Sequence, residues 1–230
     1  MKYYLLDYAC ATRETGSQFP QIQKMSDNYN YQSEDSVYSL SRFTNSFPDF
    51  NPNLDAFILH KNAKISDLLS SSPLMGSGFL ISEKFKNALE KNIMPPHKYY
   101  PAKIIHKDNS YNYYWIHILC DLTDYVDYNK SEFVIAKNYT NTKNYIQIKS
   151  KKDFLIKKEE LKQKDLFLSI KANKIFFIEN YFLAFDLFSV SLIDYDFYIS
   201  QNLKNIINQE KITGVNLIES NKFCVGLQYG

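Results

Sequence analysis

Residues 79–90, with the sequence Phe-Leu-Ile-Ser-Glu-Lys-Phe-Lys-Asn-Ala-Leu-Glu, decide the fold because they describe a short strand that turns directly into a helix. Ser82 stands at the corner, where its hydroxyl can accept a hydrogen bond from an unpaired N–H of the helix's first turn. Phe85, Ala88 and Leu89 follow at the i, i+3, i+4 spacing of one buried helical stripe. The stretch predicts a strand, a serine cap and an amphipathic helix.

The same pattern returns 118 positions later, in Phe-Tyr-Ile-Ser-Gln-Asn-Leu-Lys-Asn-Ile-Ile-Asn at residues 197–208. Ser200 now stands at the corner, and an apolar stripe follows at the same spacing. The repetition predicts an α+β fold with mixed, mostly antiparallel sheets and two Ser-capped helices in two pseudo-repeated strand–helix lobes. A true internal duplication and a corner motif of the kind found in many proteins both stay open.

The rest of the chain predicts a single globular domain. No linker rich in Gly, Ser or Pro interrupts residues 1–230, and its possible lobes are 1–130 and 131–230. Residues 11–46 are polar and lack periodicity, which indicates a loop or irregular arm. Further segments are interpreted as strands at 2–8, 54–59, 103–106 and 111–119, a helical turn at 65–69, and a Lys/Glu-rich connector at 154–168.

Aromatic residues are unusually abundant, with 19 Tyr and 17 Phe against 6 Gly. Tyr-rich surfaces often contact partners, because a Tyr ring buries much apolar area for few rotatable bonds and keeps a polar tip. A genome rich in A and T would produce the same excess of Tyr, Phe, Asn, Lys and Ile. The composition is therefore compatible with a binding surface without requiring one.

The charge pattern favours a protein partner over a nucleic acid. The net charge of +2 is too small for a binder that relies on counterion release. Residues 1–60 carry 4 basic and 7 acidic side chains, whereas residues 150–180 carry 8 and 5. Patches of both signs suit protein recognition.

Three cysteines, Cys10, Cys120 and Cys224, lie far apart and are odd in number, which argues against a disulfide framework. The first residues lack the apolar region of a signal peptide, and no apolar run approaches a membrane span. We therefore expect a bacterial cytoplasmic protein that does not enter a membrane.

Enzyme chemistry finds little support, and we expect no cofactor and no resident metal. His106 and His117 could face each other across a hairpin and bind a metal with Asp108. A metal-dependent hydrolase or nuclease could instead use Asp153 with the later Glu160-Leu-Lys162. Ordinary i, i+4 charge pairing explains that second group equally well. A further alternative is a single-strand nucleic-acid binder that stacks bases on Tyr111, Tyr113 and Trp115.

Several segments, in this order, are similar to those of a known family. They are Lys2–Asp7, Phe79–Leu89, Tyr99–Pro101, Tyr113–Tyr114, Asp127–Phe133, Asp165–Phe167, Phe197–Ser200 and Ile212–Val215. The chain resembles a bacterial immunity-protein family of polymorphic-toxin systems, long catalogued as a domain of unknown function. The resemblance covers the whole chain except the divergent arm at 11–50.

The resemblance implies a non-enzymatic cytoplasmic protein that binds and neutralises a cognate toxin. Such a toxin is often a nuclease, delivered by contact-dependent or type VI-like secretion. The family supplies no catalytic residues to transfer, so the partner-binding residues are a prediction from charge and aromatic content. Basic nucleases would be attracted to acidic, Tyr-bearing surface, which the chain offers in Asp121, Asp124, Tyr125, Asp127 and Tyr128, with Glu34 and Asp35 as a second patch.

Overall fold

The computed structural model describes residues 2–74, 78–138, 140–178 and 185–224, without the side chains of 141–143. Within these ranges the chain forms three α-helices and three mixed or antiparallel sheets, which confirms the predicted α+β class. The chain divides into two compact units. Unit 1 comprises Met1–Leu5, Asp121–Gln201 and Ile218–Gly230, and unit 2 comprises Leu6–Cys120 and Asn202–Leu217.

Unit 2 is built on a six-stranded sheet. In sheet order, its strands are β2 (Ile22–Met25), β3 (Phe57–Leu59), β6 (His97–His106), β7 (Asn109–Ile118), β5 (Gly78–Ile81) and β4 (Leu68–Leu69). Strands β3 and β6 are parallel, and the other neighbours are antiparallel. The predicted hairpin is confirmed, but its strands are longer than expected and its turn is the residue pair 107–108.

The polar arm is part of the core of unit 2. Strand β2 and a 3-10 helix at Ser39–Arg42 interrupt its irregular path. Ile22, Val37 and Leu40 are buried in one cluster with Trp115. Because these apolar residues are few and widely spaced, sequence periodicity could not show that the arm packs on the sheet.

Ser82 caps the first helix as predicted. Helix α1 (Glu83–Leu89) begins directly after Ser82, whose hydroxyl accepts from the N–H of Phe85 at 3.2 Å. Phe85, Ala88 and Leu89 are buried. The helical turn predicted at 65–69 is wrong, since Leu68 and Leu69 form β4 and pair with β5.

Asp67 joins this corner to a distant part of unit 2. Its carboxylate accepts from the Ser82 hydroxyl at 2.7 Å, from the Thr213 N–H at 2.8 Å and from the Thr213 hydroxyl at 2.9 Å. Burial alone would raise the pKa of Asp67, but these hydrogen bonds outweigh it and hold the pKa below its usual value. The next residue, Gly214, has φ +81°, and a Cβ there would meet the Leu68 carbonyl oxygen at 2.3 Å.

Unit 1 contains a four-stranded sheet in the order β14 (Phe223–Cys224), β10 (Leu168–Phe176), β8 (Glu132–Lys137), β9 (Thr140–Ile146). It also contains a hairpin of β11 (Leu187–Val190) and β12 (Asp194–Ser200). With β1 (Tyr3–Tyr8) and β13 (Val215–Ser220), this hairpin forms a sheet in the order β11, β12, β1, β13.

Residues 154–168, predicted as a connector, lie largely in helix α2 (Lys151–Lys164). The Ser150 hydroxyl accepts from the Asp153 N–H at 3.1 Å and caps it. Only Phe154 and Leu161 of this helix are buried. Two buried positions in four turns make too weak a stripe for periodicity to identify, so the cap was the better signal.

Ser200 stands directly before helix α3 (Gln201–Gln209), as the repeated pattern predicts. Its hydroxyl donates to the Asp186 carboxylate, and its N–H donates to the Asp186 carbonyl oxygen at 2.9 Å. Ser82 makes the same two hydrogen bonds to Asp67. Each aspartate directly precedes the first strand of an antiparallel pair, β4 or β11, and each serine lies at the end of the second strand, β5 or β12. The two corners share this geometry, and internal duplication of the chain stays a prediction.

Candidate functional site

The acidic segment 121–128 forms a 3-10 helix, Leu122–Tyr125, in unit 1. Asp121 is the N-cap and accepts from the Thr123 N–H at 3.0 Å. It also accepts from the Ser191 N–H at 3.0 Å and from the Ser191 hydroxyl at 2.5 Å. Both carboxylate oxygens therefore help to hold the turn between β11 and β12.

Asp124 and Tyr125 lie further along this helix. The Asp124 side chain is 72% exposed and pairs with Lys151 at 2.7 Å. An exposed ion pair of this kind contributes about 0–1 kcal/mol, so a partner could replace Lys151 at small cost. Tyr125 is half-buried, and its carbonyl oxygen accepts from the Ile178 N–H at 2.8 Å.

Asp127 and Tyr128 are less accessible than Asp124. The Asp127 carboxylate accepts from the Lys130 N–H at 3.1 Å, and 18% of the side chain is exposed. Tyr128 is buried, stacks on Phe133 with 6.0 Å between ring centroids, and donates to the Thr123 carbonyl oxygen. Burial raises the pKa of the Tyr128 phenol. The Tyr128 ring belongs to the core of unit 1.

Glu34 and Asp35 lie in the irregular arm of unit 2. Glu34 is exposed. Asp35 is half-buried, accepts from the Ser33 hydroxyl, and its carbonyl oxygen accepts from the Asn53 N–H at 2.8 Å. Glu34 thus presents a carboxylate to solvent, whereas Asp35 helps to fix the arm. The contact of either residue with a partner stays a prediction.

Unit 1 also contains a groove of about 730 Å³ that the sequence did not indicate. Helix α2, strand β10 and the β11–β12 turn contribute to its lining. Its apolar lining consists of Ile170, Ala172, Leu192 and Ile193. Its charged and aromatic lining consists of Lys158, Lys171, Lys222, Asp194, Asp196 and Tyr195.

Tyr195 is the aromatic residue of this lining, and 80% of the residue is accessible. The Lys158 ammonium of α2 lies 5.8 Å from the centre of its ring, within the range of a cation–π contact. Tyr195 follows the turn that Asp121 holds. A sequence signal existed in Asp194-Tyr-Asp196, an aromatic residue between two charges after a turn, but only the structure shows that the ring is exposed.

Asp194 and Lys222 form an ion pair in the same groove, and the Tyr198 hydroxyl donates to the Asp194 carboxylate at 2.8 Å. Burial alone would raise the pKa of Asp194, but Lys222 and Tyr198 hold it below its usual value. The negative charge of Asp194 is therefore largely balanced inside the protein.

The proposed histidine pair is wrong. In the hairpin register His106 lies opposite Asn109, next to the turn, whereas His117 lies opposite Lys98 near the other end. His117 is fully buried and stacks on Trp115 with 4.7 Å between ring centroids. In the described ranges, no cluster of His, Cys, Asp or Glu could hold a metal ion.

We expect the stability of the protein to depend on pH through His117. Burial lowers its pKa, an effect opposed by the backbone of Phe43. Above about pH 6.5 the ring is neutral in the folded and unfolded states, and below that pH the unfolded state binds the proton first. We expect the free energy of unfolding to fall between pH 7.5 and pH 5.5, by at most about 1.4 kcal/mol per pH unit from this group. Urea unfolding at both pH values measures the loss.

The matched variant is His117→Phe, which keeps a ring against Trp115 and removes the titration. We expect a smaller loss of stability on acidification than in the original chain. An equal loss in both proteins would contradict the assignment to His117.

The residues of the nuclease alternative all lie on α2, and Asp153 has a structural role there. Asp153 accepts from the Lys149 N–H at 2.8 Å and from the Lys157 ammonium at 3.1 Å, and both bonds lower its pKa. Glu160 and Lys162 are exposed on the same helix. These three residues therefore agree with the alternative interpretation, a helix surface with ordinary i, i+4 charge pairing.

The aromatic residues considered for base stacking are largely inaccessible. Trp115 and Tyr113 are 1% and 4% exposed, and only Tyr111 of the three is half-buried. The proposed stacking surface is therefore wrong.

Among the described residues, no helix has both the length and the apolar character that crossing a bilayer requires.

Most of the chain matches a known protein family. A family model described as Immunity protein family (Imm11) matches residues 3–185, most of the 230-residue chain. No curated protein matches the chain.

Proposed function

The chain belongs to the Imm11 immunity protein family, and we propose that it binds a cognate polymorphic toxin and neutralises it by protein–protein contact. The family match over residues 3–185 carries this proposal. It includes the acidic segment and the polar arm. In the proposal the protein acts in the bacterial cytoplasm by occupying the toxin, not by catalysis, and the toxin arrives by contact-dependent or type VI-like secretion.

We further propose that the toxin is a nuclease. Nucleases bind a polyanion and so commonly carry basic surface, which an acidic surface on the immunity protein would attract. Asp124 and Glu34 supply exposed carboxylates for this role, and Tyr125 supplies a half-buried aromatic beside Asp124. Electrostatic attraction of this kind increases the association rate more than it lowers the dissociation rate.

Charge reversal tests the acidic segment. We expect Asp124→Lys to weaken toxin binding about tenfold, because it replaces attraction by repulsion and leaves Lys151 without its partner. The affinity is measured by calorimetry at two salt concentrations, and the loss should be smaller at high salt. Asp55→Lys in unit 2 is the control, because it makes the same charge change at another exposed ion pair, that of Asp55 with Lys103. Equal affinities for both variants would exclude Asp124 from the interface.

The proposed function itself is tested by capture and protection. The tagged chain is used as bait in its native host, and the co-purified proteins are identified by mass. We expect a large multidomain partner with a C-terminal toxin module. Cells that express this module should grow only when the chain is co-expressed. Failure of the chain to restore growth would overturn the proposal.

A further inference from the structure

We infer that the groove of unit 1 receives an acidic segment of the partner that carries an aromatic or leucine side chain. The inference rests on the proposed function and assigns it a second contact surface, distinct from the acidic side chains named above. It depends on the shape, the charge and the rigidity of the groove.

The shape suits a side chain more than a flat protein surface. The groove has a volume of about 730 Å³, within the usual range of about 300–1,000 Å³ for binding clefts. Ile170, Ala172, Leu192 and Ile193 contribute apolar surface to it. An apolar side chain placed there would lose its contact with water, which contributes about 25 cal/mol per Å² of apolar area buried. The groove can therefore take an aromatic or leucine anchor.

The charge of the groove favours acidic residues on either side of that partner side chain. Three lysines and two aspartates line it, and because Asp194 and Lys222 pair with each other, the lining keeps one net positive charge. The adjoining segment 149–164, which contains α2, carries seven lysines against three acidic residues. An acidic segment is complementary to this surface, whereas a basic one is repelled. A toxin that also contacts Asp124 would need surface of both signs.

Tyr195 is the residue of this protein that we expect to contribute most to binding in the groove. The exposed ring is held on one side by the Lys158 contact. The preceding turn is held by the hydrogen bonds of Ser191 to Asp121 and of the Leu192 N–H to the Thr123 hydroxyl at 3.3 Å. Because the turn is already ordered, binding costs less conformational entropy than at a free loop. An exposed Tyr beside an apolar cleft fits the composition of interface hot spots.

The experiment uses the full chain and two short synthetic peptides labelled with fluorescein. One has a central Phe flanked by Asp and Glu, and the other has the same Phe flanked by Lys. Fluorescence anisotropy measures binding of each. We expect the acidic peptide to bind about tenfold more tightly than the basic one, and Tyr195→Ala to reduce that affinity about tenfold. The control is Tyr145→Ala, since Tyr145 is 70% exposed on β9 and lies outside the groove.

Equal binding of the two peptides, or equal effects of Tyr195→Ala and Tyr145→Ala, would overturn the inference. Lys158→Glu adds a second readout, because it should weaken the acidic peptide and strengthen the basic one without removing apolar surface. The same variants are then tested against the captured toxin module. If the original chain binds the module and Tyr195→Ala binds it equally, the groove assignment fails and the function stands. If the original chain does not bind it, the function fails.

Discussion

Phe188→Ala is expected to lower the free energy of unfolding by about 3–5 kcal/mol, the range for removing a fully buried Phe ring. Phe188 is completely buried in unit 1. Its ring centroid lies 5.2 Å from that of Phe223, 5.3 Å from that of Tyr3 and 6.0 Å from that of Tyr198. Alanine would leave a cavity between three aromatic rings that can close only if strands move. Urea unfolding followed by circular dichroism measures the effect.

The control is Phe167→Ala, because Phe167 also belongs to unit 1 but is 67% exposed. We expect that variant to change stability by less than about 0.5 kcal/mol, as surface substitutions usually do. Similar unfolding midpoints for the two variants would mean that the aromatic core of unit 1 is not packed as described.

Asp67→Ala is expected to lower the free energy of unfolding by about 2–3 kcal/mol, since three part-buried donors lose their acceptor and a single fully buried one would cost about 1–3 kcal/mol. The substitution removes the acceptor of the Ser82 hydroxyl and of both Thr213 donors. It also removes the hydrogen bonds that hold Thr213, the residue before Gly214, whose backbone lies close to the Leu68 carbonyl oxygen. Thermal and urea unfolding at pH 7 measure the loss.

The matched control is Asp27→Ala, since the Asp27 side chain is 91% exposed and forms an ion pair with Lys24 on the surface. Asp186→Ala tests the repeated corner, because Asp186 binds Ser200 as Asp67 binds Ser82. We expect a loss in Asp186→Ala as well. A stable Asp67→Ala protein would show that the corner does not hold the fold.

The features that the sequence predicted correctly depend mainly on interactions between residues that are close together in the chain. Ser82 and the stripe that follows it identified α1, because capping and periodicity act within a few residues. The aspartate that binds each serine lies about fifteen positions earlier, and only the hairpin pairing brings the two together. Sequence spacing alone could not reveal that contact.

The candidate site was harder to predict than the fold. Asp121 was predicted to bind the partner because of its charge, but in the structure its carboxylate accepts hydrogen bonds that hold the β11–β12 turn. Tyr128 was chosen as an aromatic contact and is buried against Phe133. The groove with Tyr195 was missed because its lining comes from segments far apart in the sequence. Exposure is a property of tertiary packing, so composition cannot distinguish a core Tyr from a surface Tyr.

We propose that this Imm11 protein neutralises a toxin by binding it, and the decisive experiment is a calorimetric titration of the purified toxin module with the purified chain. We predict saturable binding at a fixed molar ratio, with the toxin's activity lost over the same titration. The proposed function would be wrong if a toxin module that kills cells showed no binding and kept its activity in an excess of the folded chain.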